Sequence, residues 1–225
     1  MSQLGMYRSG RFSAQGHEFV LIESGMGFDN AARAAEALVG DSRPDLLIST
    51  GLCGAITPEL QVGDVVVAES IFIAADNERE EVPALFASLG RSFVVQQAGA
   101  EQRVVAGTFV STPVIRTKRG LAETLAGAYP HPVVEMESGA VAIVAAENHI
   151  PLLALRSVSD TAAEELGFSL AEFCSADMRR IRPYNVLVKV LQNPRIIPQL
   201  VRLSRSSRRA AASLTVVMSR VISRL

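Results

Sequence analysis

The chain has 225 residues, 48% of them hydrophobic, and a formal net charge of only −1, which suits one domain with a sizeable core. Two cysteines (Cys53 and Cys174) and three scattered histidines (His17, His131 and His149) exclude a disulfide framework and offer no metal-ligand spacing. The sequence has no apolar run long enough to span a bilayer and no basic-then-apolar start, so neither a membrane span nor a signal peptide is expected, and a cytoplasmic location is.

In chain order, Glu18–Ile22 reads as a short strand and Ser24-Gly25-Met26-Gly27 as the turn after it. Asp29 or Asn30 is positioned to cap the next helix, whose packing face is Ala31, Ala34, Ala35 and Leu38. Leu46–Thr50 is a strand of the kind buried in parallel sheets, Val65–Ala68 is the next, and Val104–Val110 is another. Between them, residues 74–103 give little pattern, and the charge run Asp76–Glu81 reads as a solvated loop. Lys118–Ala126 reads as a helix, and so does Glu137–Glu147, whose Ala and Val content predicts burial. Leu152–Val158 is a strand. Strands alternating with helices predict a three-layer α/β fold.

From Pro183 the chain changes character, which divides it into a catalytic-type domain, residues 1–182, and a tail, residues 183–225. Pro194 and Pro198 break the tail into helical pieces. Eleven of the 22 basic residues, and no acidic one, follow Asp177. Arg202, Arg205, Arg208 and Arg209 recur at helical spacing, and Leu214, Val217, Met218, Val221, Ile222 and Leu225 form an apolar stripe. Two readings stand. The helix packs on the domain or on another copy, or residues 199–225 adsorb to an anionic membrane surface, which would place the protein peripherally at the inner face. Nucleic acid is not an expected partner, because the tail has no aromatic side chains to stack on bases.

The most chemically loaded stretch is Val133-Val134-Glu135-Met136-Glu137-Ser138-Gly139-Ala140, followed by Arg156-Ser157-Val158-Ser159-Asp160. Carboxylates at the ends of buried strands need partners or a function, and strand ends are where open α/β folds bind ligands. With Leu21–Ala32, Asp45–Ile56 and Val62–Val67, these segments resemble, in order, the nucleoside phosphorylase and nucleosidase superfamily. That family includes purine nucleoside phosphorylases and methylthioadenosine/S-adenosylhomocysteine nucleosidases. The resemblance implies a three-layer αβα sandwich around a mixed, twisted sheet, and cleavage of an N-glycosidic bond without metal or organic cofactor.

It also implies roles. Asp160 matches the family's catalytic Asp, protonating the departing base, with Ser159 supporting it; the plain alternative is that Asp160 caps a following helix. Glu137 matches the ribose-binding Glu, and Met136 would lie against the sugar unless it only fills the core. Gly54, Cys53, Val114 and Ile115 would face the substrate; Gly25, Gly27 and Thr50 would face phosphate or water. Glu135 is structural or a secondary contact, and Arg156 pairs with a carboxylate for burial or for function.

Two departures from the family pattern follow. Ser49 and Leu52 stand where phosphate-binding members often carry Arg and Ser. The chain also opens near the family's second strand, so the first strand, whose turn in the hydrolases supplies the Glu that activates water, looks absent. Within the superfamily the nearest likeness is to hopanoid-associated phosphorylases, which release adenine from adenosylhopane and carry a similar Arg-rich tail. The expected activity is cleavage of an adenine nucleoside with an apolar 5′ substituent, by phosphate as co-substrate or by water, in a homo-oligomer. The rival expectation is an impaired nucleoside-binding or membrane-associated scaffold.

Overall fold

The computed structural model describes residues 2–75, 78–84, 86, 90, 92–93, 101–113, 118–125, 127–164, 173, 175, 178 and 182–225. Among the described residues, nine strands fall into two sheets. The first is an antiparallel meander of β1 (Ser2–Leu4), β2 (Tyr7–Ala14) and β3 (His17–Glu23). Gln15 and Gly16, with φ of 52° and 82°, form the two-residue turn that matches hairpin twist. Phe12 stacks on its cross-strand partner Phe19, with centroids 4.9 Å apart. Of these three strands the sequence pattern indicates only β3, because β2 is mostly polar and half exposed.

The second sheet has the order β6-β5-β7-β8-β4-β9. Its strands are β4 (Leu47–Ala55), β5 (Val65–Ala75), β6 (Glu78–Glu81), β7 (Val104–Ser111), β8 (Val133–Glu135) and β9 (Leu152–Asp160). The sheet is mixed: β4 runs parallel to β9, and β5 to β7, whereas β4–β8 and β5–β6 are antiparallel. It curls far enough that β9 also pairs with β5. Along Leu47–Cys53, β4 pairs with β9 alone among the described strands; β8 joins it only at Gly54 and Ala55. Part of the charge run expected as a loop is a strand instead: Glu78–Glu81 pairs with the end of β5 as the edge among the described strands, and Glu80 and Glu81 there keep contact with water.

The helices are α1 (Phe28–Ser42), α2 (Lys118–Leu125), α3 (Ser138–Glu147), α4 (Pro183–Gln192) and α5 (Ile197–Ile222). Strand alternation sorts the core into two layers. Val66, Ala68, Leu152, Ala154 and Val158 face Ala142 and Ala145 of α3, with Leu38 and Val39 of α1 alongside. Val65, Val67, Leu153 and Leu155 face Val217 and Val221 of α5. This is the expected three-layer arrangement. The predicted packing face of α1 holds, with Ala31, Ala34 and Ala35 buried. Its predicted cap does not: Gly27, at φ 98°, is the N-cap residue, and Asp29 and Asn30 lie in the first turn. Asn30 bonds back to the Met26 carbonyl instead.

The apolar stripe of the tail is the face that α5 lays on the sheet. Pro194 and Pro198 act as predicted, separating α4, a 3-10 turn at Pro194–Ile196, and α5. Among the described residues no helix is long and apolar enough to cross a membrane.

Candidate active site

Glu137 is the N-cap of α3, at the step from β8. Its carboxylate accepts a hydrogen bond from the Gly27 N–H (2.8 Å), tying it to the head of α1, and lies 3.6 Å from Arg156 Nη2. Burial raises its pKa above the ordinary carboxylate value. Arg156 pulls the other way, Glu135 adds to the rise, and the N–H groups of Gly27 and Met136 lower it. The side chain remains 19% exposed, so one edge is open to a ligand.

Behind it lies a buried network that leaves, among the described residues, Arg156 Nε without a hydrogen-bond partner. Glu135 is buried and accepts from the Glu137 and Ser138 N–H groups at 2.9 and 2.7 Å, filling the positive end of α3. Arg156 donates to Glu135 at 2.8 Å and to Ser138 at 3.0 Å, with Ser49 at 3.4 Å. Ser111 completes the shell, donating to Glu135 and accepting the Gly139 N–H. Gly51 has to be glycine here, because a Cβ would overlap Arg156 Nη1. Thus Glu135 is a helix-capping counter-charge, and Arg156 takes the buried-partner role foreseen for it.

Asp160 ends β9, opposite Gly54 of β4. Ser159 lies within hydrogen-bond reach of two acceptors, Asp160 Oδ1 at 2.7 Å and the Cys53 carbonyl at 3.1 Å. The other Asp160 oxygen is ion-paired with Lys118 Nζ, which also donates to the Thr161 carbonyl at 2.8 Å. Gly54 makes room for this pair: a Cβ there would sit 2.8 Å from Lys118 Cε and 2.9 Å from Asp160 Oδ2. Among the described residues, Asp160 does not cap the turn that follows it, residues 161–164. That turn is closed by Glu164, which accepts from the Thr161 N–H at 3.0 Å and is bound by Arg202 at 3.3 Å. The Thr161 N–H chiefly holds the Glu164 carboxyl below its usual value. A cleft of about 120 Å³ opens beside Asp160, between the end of β9 and the first half of α5, lined by Ser159, Ala163, Glu164, Gln199, Arg202 and Leu203 among others.

Of the other residues indicated by sequence, Gly25 and Gly27 form the positive-φ turn next to Glu137. Met136 follows β8, half-buried, and Thr50 is exposed on β4. Cys53 has its side chain in the core, where burial pushes the thiol pKa up, so it enters this region through its carbonyl. Val114 and Ile115 lie outside the described residues. Lys118 is the neighbour that sequence reasoning missed. It is 42 residues from Asp160 and carried no local signal beyond its place at the start of a helix.

Comparison with known proteins converges on one family. A profile described as the phosphorylase superfamily matches residues 4–182. The 5′-methylthioadenosine/S-adenosylhomocysteine nucleosidase of Geobacillus kaustophilus is 31% identical over 172 residues, covering 70% of this chain and 73% of its own. The nucleosidase of the same name from Bacillus licheniformis is 32% identical over 179 residues, covering 71% and 75%. Among solved structures, the Helicobacter pylori nucleosidase of that name superposes with a TM-score of 0.74 at 15% identity, over 100% of this chain and 88% of that one. The futalosine hydrolase of the same organism gives 0.72 at 14% identity, over 100% and 87%.

Proposed function

Since this chain belongs to the phosphorylase superfamily, we propose that it cleaves the N-glycosidic bond of a purine nucleoside, with water as the acceptor. The observation that carries this reading is the pairing of two differently dressed carboxylates at one end of the sheet. Glu137 is held by Gly27 with one edge open, and Asp160 is held by Ser159 beside a cleft. Arg156, which packs behind Glu137, and Asp160 are four residues apart on β9, roughly 13 Å along a strand. A ribose bound at Glu137 would leave its base directed toward Asp160.

In this reading Glu137 accepts hydrogen bonds from the sugar hydroxyls, contacts that tighten as the ribose gains oxocarbenium character. As the glycosidic C–N bond breaks, its electron pair goes to the base. A proton passes from the Lys118 ammonium through the Asp160 carboxylate to a base nitrogen, leaving the lysine neutral. Water adds its oxygen to the anomeric carbon and gives up a proton, which restores the pair. Water is favoured over phosphate because Ser49 is spent on Ser138 and Arg156, and Leu52 offers no hydrogen bond. The named relatives are likewise nucleosidases.

An apolar 5′ substituent fits the thioethers near Gly27: Met26 in the turn, Met136 beside Glu137, and Met178, whose Cε lies 3.9 Å from where a Gly27 Cβ would be. An adenosylated hopanoid is the narrowest form of this reading. A homo-oligomer and a cytoplasmic or peripheral location belong to the same proposal, as does the division into residues 1–182 and a tail.

One observation favours a second reading, nucleoside binding without turnover: Lys118 ties up the carboxylate that must hand over a proton. The deciding experiment is adenine release from a panel of 5′-substituted adenosines, with and without phosphate. Release independent of phosphate is expected. Release only with phosphate would make the protein a phosphorylase, and adenine binding without release for any substrate would leave the binding reading.

A further inference from the structure

Helix α4 is apolar, yet none of its described side chains is buried. Tyr184, Leu187 and Leu191 are 73%, 56% and 72% exposed. Their spacing puts them on one helical face. Among the described elements, α4 is adjoined by the short turn Pro194–Ile196 that follows it in the chain. Beyond the elbow, Ile197 and Val201 of α5 are also apolar and 43% and 44% exposed. At roughly 100° per residue, exposed Arg205 and Arg208 fall in the same sector as Ile197 and Val201. Soluble surfaces rarely leave a contiguous apolar patch of this kind uncovered.

We propose that this elbow, residues 184–208, docks on an anionic lipid surface. Charge selects the occupant. The chain has no acidic residue beyond Asp177, so a second copy laid on the same face would bring arginines against arginines. Apolar side chains flanked by long cationic ones, with a tyrosine near the start, match a helix lying in a headgroup layer. The docking segment shares only residues 199–208 with the one expected from sequence, residues 199–225: the stripe from Leu214 onward packs on the sheet, which anchors the elbow to the body. The opposite side of the first half of α5, with Gln199, Arg202, Leu203 and Ser206, lines the cleft at Asp160. Docking would therefore hold that cleft about one helix diameter, ~10 Å, from the lipid. The catalytic reading of the cleft rests on the proposal above; the docking does not.

The test is co-sedimentation of the full chain with phosphatidylcholine vesicles and with vesicles roughly one-third phosphatidylglycerol, without any nucleoside, so that its outcome is independent of the reaction. Binding at least about tenfold stronger to the anionic vesicles, and lost at high salt, is expected. Leu187→Glu with Leu191→Glu should reduce it about tenfold at unchanged Tm and oligomeric state. Equal binding to both vesicles, or none, overturns the proposal. So does a variant that falls from a larger oligomer to a smaller one, which would mean that another copy covers the elbow.

Discussion

The middle and the C-terminal end of β9 hold the same chemistry in opposite forms. At Arg156 a cation meets a carboxylate in a nearly closed shell, with side chains 5% and 1% exposed and the charge shared among serines and a helix N-terminus. At Asp160 a cation meets a carboxylate beside a cleft, at 11% and 17% exposure, with a serine and a peptide carbonyl for company. The first arrangement fixes a shape. In the proposed reaction the second keeps a proton within reach of a ligand. An ion pair is read from what else its atoms must do, not from its residue types.

The contrast can be broken at either end. Arg156→Met leaves Glu135 buried without its cation and should cost about 3–5 kcal/mol, read by denaturant unfolding. A loss below about 1 kcal/mol would show that the helix N-terminus alone neutralises Glu135. Asp160→Asn leaves the half-sheltered Lys118 ammonium without its counter-charge and should cost about 1–2 kcal/mol, less than Arg156→Met, while cutting turnover at least roughly a hundredfold; near-normal turnover removes Asp160 from the mechanism. Ser159→Ala removes one hydrogen bond to the Asp160 carboxylate and should slow turnover about tenfold with little change in KM.

The smallest effect concerns Glu137, whose folded pKa is raised. A carboxyl of this kind contributes its full stability below the unfolded value and loses it as pH rises through the folded one. Glu137→Gln should therefore match the wild type at acid pH and gain a Tm advantage on the order of 2 °C at neutral pH. An advantage that grew on acidification would mean that Arg156, not burial, governs this carboxylate. For the wild type, kcat/KM should fall on the acid side at a pH above that of an ordinary Glu.

Most of the sheet was legible because its strands are buried on both faces and read as apolar runs, as in Val65–Ala68 and Leu152–Val158. What escaped was held by pairing rather than pattern: β2, polar and half exposed, and β6, a charged edge. The Glu135–Arg156 partnership could be anticipated, since a buried acid calls for a base. Lys118 could not, because its contact with Asp160 depends on where α2 begins relative to the end of β9. The tail's stripe was legible as amphipathic, but which half of it would be covered depended on the sheet beneath.

Ser159 has one proton and two acceptors, the Asp160 carboxylate and the Cys53 carbonyl. Its hydroxyl is thus a rotor with two stops. While Asp160 is charged, the proton is best placed on the carboxylate; once Asp160 takes up a proton of its own, the hydroxyl is free to swing to the strand beside it. Threonine would preserve both stops, whereas alanine would leave the Cys53 carbonyl without that donor as well. In the proposed reaction, each proton passed to a leaving base would then be accompanied by a swing of one small side chain.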